Sequence, residues 1–289
     1  MTLNKSTLAS HGAMVLFVLL WGSAAIVTRW GLDHGSTFAL LFVRFSIAFG
    51  VLLMLGLSRG GWLPVRGTRR QVAATGLLLI GSYTICYFQA MTFGITPGLI
   101  ATLLGIQPIL TLLLVERRFS ALRLGGLLVA LGGLVLVVYQ SLVVSRFAPV
   151  GMLFALGALA CMTSGAILQK RVQQSPTEVL PLQYAVTLVA CLLFAPFQPV
   201  EFEKSLGFFG PALWLGLIIS VVAQLLLYRM IHSGNLVNVT SLFYLVPAVT
   251  AAMDYLFLGN LLSKLSIVGM AVILLGVALT FRQAPAPKG

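Results

Sequence analysis

Acidic side chains are almost missing from this sequence: six Asp and Glu stand against 18 Lys and Arg in 289 residues. Charged residues of both signs reach only 8%, where a soluble domain carries roughly 25%. So few charges cannot cover a water-facing surface, which excludes an ordinary soluble globule and makes lipid the solvent for most of the chain. Cysteine is scarce too. Cys86, Cys161 and Cys191 fall in three different apolar segments without CxxC spacing, so they read as small hydrophobes rather than a disulfide or metal framework. His11, His34 and His232 lie at or beyond the ends of apolar runs, and no buried nucleophile–base pair is visible. A GxxxxGK[ST] phosphate loop is absent, which excludes direct coupling to ATP. No enzyme, cofactor or resident metal is therefore expected. Without any run of four Lys or Arg, the net charge of +12 is no nucleic-acid footprint.

Apolar residues supply what is left: 59% of the chain, with a mean hydropathy of +1.04. In lipid every backbone N–H and C=O needs an internal partner, which leaves helices or closed barrels. The apolar runs are continuous over about 20 residues rather than alternating over ten, so helices are expected. Hydropathy and breakers place them at 12–30, 36–58, 70–93, 97–116, 122–140, 150–169, 178–197, 209–231, 236–258 and 265–282. Ser23-Ala24-Ala25 imitates a signal-peptide cleavage site, but removing the first run would destroy the repeat described below, so it reads as a retained helix. Thirteen of the 18 Lys and Arg fall at one set of alternate helix ends and four at the other, with Arg44 inside the second helix. By the positive-inside rule both termini face the cytoplasm, as expected of a multi-pass protein of the cell inner membrane.

The halves align weakly at an offset near 140. Gly76 matches Gly216, Pro108 matches Pro247, Gly126 matches Gly269 and Gly133 matches Gly276. Because five is odd, the second copy must enter the membrane from the opposite side. The expected fold class is all-α integral membrane, ten helices as two inverted-topology five-helix repeats, 1–144 and 145–289 in one structural unit. Such repeats suit alternating access around a site near the bilayer midplane.

Polar and aromatic groups near helix midpoints are Trp21, Ser82, Tyr83, Gln107, Cys161, Thr163, Gln224 and Tyr244, on helices one, three, four, six, eight and nine. Those six helices are three repeat-related pairs, as a central substrate cavity requires. Each residue alone has a plainer reading: a lone Ser or Thr bonds its own i−4 carbonyl, and aromatics pack. A buried Gln is costlier to leave unpaired and must face protein, water or substrate. Pro108 and Pro247 each remove a mid-helix backbone bond, which suits a paired gating kink or a tolerated bend. Arg44 and Asp254 are the charges inside spans. They form a structural pair, snorkel to the interface, or, for Arg44, hold a substrate carboxylate.

Trp21-Gly22-Ser23, Val43-Arg44-Phe45 and the glycine pattern Gly125-Gly126…Gly132-Gly133 resemble the drug/metabolite transporter superfamily of EamA-type ten-helix exporters. Ser82-Tyr83-Thr84-Ile85-Cys86, with Gly234-Asn235, is similar to its aromatic amino acid exporter branch. Glu116 falls where family members often carry a glutamate before the fifth helix; its second-half counterpart is Asn260, a departure. The resemblance implies a basket-shaped bundle, a cavity from the six helices named above, and export of aromatic and other amino acids through the lipid bilayer. The rival expectation is a proton-coupled multidrug or organic-cation exporter using Asp254. A receptor or assembly subunit without flux is the alternative of another class.

Overall fold

The structure is a computed structural model that describes residues 5–59, 61–116, 119–144, 148–258 and 262–282. The first five helices are α1 (Lys5–Leu32), α2 (Thr37–Ser58), α3 (Arg69–Thr92), α4 (Pro97–Val115) and α5 (Ala121–Val137). The second five are α6 (Pro149–Arg171), α7 (Pro176–Phe197), α8 (Leu206–Ser233), α9 (Leu236–Leu256) and α10 (Lys264–Arg282). Among the described residues nine are long and apolar enough to cross a bilayer, and α5, at 17 residues, is the shorter tenth. The all-α membrane class is thus present as the sequence suggests, with differences at the ends. α1 begins at Lys5 rather than near 12, and α5 breaks at Val138 before a short helical segment, Tyr139–Val144. Gly60, Gly259, Asn260, Arg117, Arg118, Arg146 and Lys288 lie outside the described residues, as does position 145.

Local chemistry explains where helices start. Ser36, Ser120 and Asn235 each accept a backbone N–H from inside the helix they precede. Pro97, Pro149 and Pro176 occupy the first helical position, where no backbone donor is lost. Long apolar side chains then cover the outer surface: Leu153 is 71% exposed, Leu193 68% and Leu274 61%. A contiguous belt of this kind is stable only against hydrocarbon.

Packing repeats when helix n is exchanged with helix n+5. α3 lies against α6 and α7, as α8 lies against α1 and α2; α4 meets α6 as α9 meets α1. The partners α2/α7, α4/α9 and α5/α10 also touch one another. Within α5/α10 the pairing is antiparallel, since Gly126 abuts Gly276 and Gly133 abuts Gly269. Within α2/α7 it is antiparallel as well: Phe38 stacks near Phe194 and Phe45 meets Tyr184 edge-on. Gly76 and Gly216 hold corresponding jobs. A Cβ at Gly76 would lie 2.5 Å from Gln183 Cβ on α7, and one at Gly216 would lie 2.9 Å from Ile47 Cβ on α2. Small residues let helix backbones approach where no hydrophobic driving force separates lipid from protein.

Irregular backbone recurs in the same places. π-helical turns occupy Leu77–Ser82 in α3 and Trp214–Ala223 in α8. α4 is interrupted between Leu104 and Gln107, just before Pro108, and α9 has a 3-10 turn at Leu242–Tyr244, just before Pro247. Each proline therefore sits at a break rather than inside an unbroken helix. Tyr244 Oη donates to Gly105 O at 2.5 Å, so a side chain from α9 occupies a carbonyl in the turn of α4.

Candidate substrate site inside the bundle

The π-helical turn of α8 creates the first element of the site. Gln224 N bonds Ile219 O instead of the α-helical acceptor Ser220 O. Tyr184 Oη of α7 fills the vacancy, donating to Ser220 O at 2.8 Å. Fixed in this way, Ser220 Oγ accepts from Arg44 Nε of α2 at 2.7 Å. The Arg44 guanidinium carbon also lies 5.3 Å from the centre of the Phe45 ring. π-turns are frequent at functional sites because they aim one residue out of helical register.

Arg44 is thus directed at Ser220 on α8. The ion pairs recorded among the described residues are Arg29–Asp33 and Arg123–Glu116, so the expected Arg44–Asp254 pair is not the arrangement found. An arginine at depth costs roughly 2.5–3.5 kcal/mol on insertion scales. Ser220, a ring face and nearby hydroxyls offset part of that cost without supplying negative charge.

The other expected residues fall into two groups. Trp21, Ser82, Tyr83 and Cys161 keep some accessible surface, whereas Gln107, Thr163, Gln224 and Tyr244 are packed into helix interfaces. Trp21 stands 5.1 Å from Phe17 and edge-on to Phe243 of α9 at 5.5 Å. Tyr83 lies 6.1 Å from Tyr87 one turn along α3. Tyr83 and Tyr87 are both half-buried. Gln107 Nε2 reaches Met162 O of α6 at 3.5 Å, while Gln107 Oε1 and Thr163 Oγ1 are buried with no protein partner. Ser23 and Ser164 bond carbonyls of their own helices, as the plainer reading expects.

Sequence reasoning missed two arrangements. The thiols of Cys86 and Cys161, read separately as small hydrophobes, come close enough between α3 and α6 to bear on one another. No spacing rule links residues 75 apart in the chain. Arg123, counted only as a topology-setting charge, is 1% exposed and joins Glu116, Asn235 and Asn238 into one cluster. Its Nη1 meets Glu116 Oε1 at 2.7 Å; Nη2 meets Asn235 Oδ1 at 2.6 Å and Asn238 Oδ1 at 2.8 Å. Asn235 Nδ2 returns a bond to Glu116 Oε1 at 2.9 Å. Beside it, Lys170 Nζ of α6 holds His232 O and Gly234 O at 2.9 and 2.7 Å. These bonds close the end of the bundle where the α4–α5 and α8–α9 connections meet. The usable signal was Asn235, a capping residue quoted for its resemblance, followed three positions later by a second Asn.

A cavity of about 370 Å³ opens at that same end, lined by Gly56, Arg59, Leu63, Ser175, Thr177 and Glu178 among others. It contains none of the expected midplane residues. As an open, polar rim formed by two loops, it lacks the enclosed apolar walls of a small-molecule site.

Comparison with known proteins fits this architecture. The EamA-like transporter family matches twice, over residues 9–139 and again over 149–282, and the chain belongs to that family. It is 25% identical to Protein PecM of Dickeya dadantii, covering 88% of this chain and 86% of that protein. It is 24% identical to YedA of Escherichia coli K12, named as an uncharacterized inner membrane transporter, covering 95% and 91%. A solved crystal structure superposes with a TM-score of 0.78 at 21% identity, covering 94% of this chain and 99% of that one, which establishes the fold. The protein is therefore a multi-pass membrane protein of the drug/metabolite transporter type.

Proposed function

We propose that the chain exports small neutral or zwitterionic metabolites, chiefly aromatic and other amino acids, by alternating access. In this reading residues 1–144 and 145–289 are inverted halves lying in the cell inner membrane with both termini in the cytoplasm. The observation that carries it is the exchange symmetry of the main packing contacts: α3 against α6 and α7 is matched by α8 against α1 and α2, and α4 against α6 by α9 against α1. Two halves that can trade conformations around a shared centre open that centre to either face in turn. Trp21, Phe243, Tyr83 and Tyr87 supply flat apolar surfaces for a substrate ring. Gln107 Oε1 and Thr163 Oγ1 are buried acceptors without protein donors, which in this reading meet a substrate ammonium when the bundle changes conformation.

Purified protein in liposomes preloaded with unlabelled phenylalanine should accumulate labelled phenylalanine, tyrosine or tryptophan by counterflow. Trp21→Ala should cut that uptake by about tenfold, the loss of one stacking contact plus its buried area. Exchange of another solute, with none for any amino acid, would remove the substrate assignment. Reporter fusions at Met1 and Gly289 should both be active only on the cytoplasmic side. Termini on opposite faces would overturn the inverted arrangement.

A further inference from the structure

Arg44 is held, but only from one side. Ser220 Oγ takes Nε, and among the described residues neither Nη1 nor Nη2 has a hydrogen-bond partner. The guanidinium is enclosed by protein: Ser220 belongs to α8, Tyr184 to α7 and Tyr83 to α3. Tyr184 and Tyr83 are the ionisable groups that bear on it electrostatically, and both are phenols, neutral at physiological pH. No carboxylate among the described residues pairs with Arg44. Arg44 nevertheless retains accessible surface, as does Tyr83.

The geometry points to Arg44 as an anion subsite that binds the carboxylate of the transported solute through Nη1 and Nη2. A guanidinium whose Nε is already occupied presents its two terminal nitrogens as a fork, the geometry that matches a carboxylate bidentately. Ser220 and the Phe45 ring fix the plane of that fork in advance, so little rotamer freedom is lost on binding. Enclosure by four helices separates the site from lipid headgroups and leaves a solute as the source of the charge. Such a subsite makes a free carboxylate, rather than net neutrality, the required feature of the substrate. This deepens the reading of the bundle as a carrier of small solutes and rests on it.

The test measures ligand-induced shifts in the thermal-unfolding midpoint of the full chain, purified in uncharged detergent. The probes are the twenty amino acids, phenylalaninamide, 3-phenylpropionate and benzoate. At least one carboxylate should stabilise the wild type while its amide does not. Arg44→Gln should weaken that carboxylate by about tenfold or more, with Arg44→Lys intermediate, as loss of a charge-assisted bidentate contact predicts. If Arg44→Gln does not fold, Ser220→Ala keeps the charge and removes only the hold on Nε, and it should weaken the same ligand several-fold. Stabilisation by amides and carboxylates alike, or an undiminished response in Ser220→Ala or Arg44→Gln, would overturn the subsite. So would a wild type that no carboxylate stabilises. Binding of 3-phenylpropionate or benzoate without any amino acid would keep the subsite and remove the amino-acid reading.

Discussion

Glu116→Ala should destabilise the protein by about 3–5 kcal/mol, because it leaves the Arg123 guanidinium buried without its counter-charge. That side chain is 1% exposed, so water cannot replace the lost carboxylate without opening the end of the bundle. Arg123→Met in the same background should recover much of the loss, since replacing both members of a buried pair with apolar groups is often neutral. Arg123→Met alone should be costly for the opposite reason: it strands Glu116 and two asparagines. Unfolding midpoints in detergent for the two single variants and the double variant form the necessary cycle. A double variant whose loss equals the sum of the two single losses would show that the cluster contributes nothing as a unit. The same cycle has a transport side. Glu116 and Arg123 belong to the α4–α5 connection, and Asn235 and Asn238 to the start of α9. In the proposed alternating-access cycle the cluster parts when this end opens, and loosening it should raise the rate of exchange while lowering stability.

Comparably large losses are expected along the α5–α10 seam. Gly133→Val places a branched side chain where a single Cβ already lies 2.7 Å from Ile273 N and 2.8 Å from Gly269 O. The obstructing atoms are backbone, which cannot rotate aside, so the cost should reach about 3 kcal/mol, the upper end for overpacking. Gly132→Val supplies the control. Nothing lies within 4 Å of a Cβ at Gly132, nor at Gly125, and both positions should accept substitution with little change. Equal midpoints for Gly132→Val and Gly133→Val would contradict the close antiparallel approach of the two helices.

These adjacent glycines show what the sequence could tell. Gly125-Gly126 and Gly132-Gly133 recur every seven residues, and the match to Gly269 and Gly276 singled out the second member of each pair. That alignment indicated repeat-related positions, but not that the two helices would pack against each other. The helix breaks were half-visible in the same way. Pro108 and Pro247 marked them, whereas the π-turns of α3 and α8 carry no proline and follow no local propensity. A π-turn forms when tertiary packing pulls one carbonyl out of register, as Tyr184 does at Ser220. The midplane survey had the same strength and weakness. It collected polar groups by depth, yet Gln107 Nε2 and Tyr244 bond carbonyls of neighbouring helices, while Arg44, left between an Asp254 pair, snorkelling and a substrate carboxylate, bonds Ser220.

Alone, the amino-acid order determined the solvent, the helical class, a count of about ten helices and the weak match between the halves. Each depends on composition or on regularities within one segment: charge scarcity, apolar run length, and equivalent residues 139 to 143 positions apart. Tertiary structure decided the partnerships, Arg44 with Ser220, Cys86 with Cys161, Arg123 with Glu116 and two asparagines. Between apolar helices in lipid, burial rewards every rotation and sliding register almost alike. Which polar groups meet is then settled by where backbones can touch, a property of helix pairs rather than of any one stretch of chain.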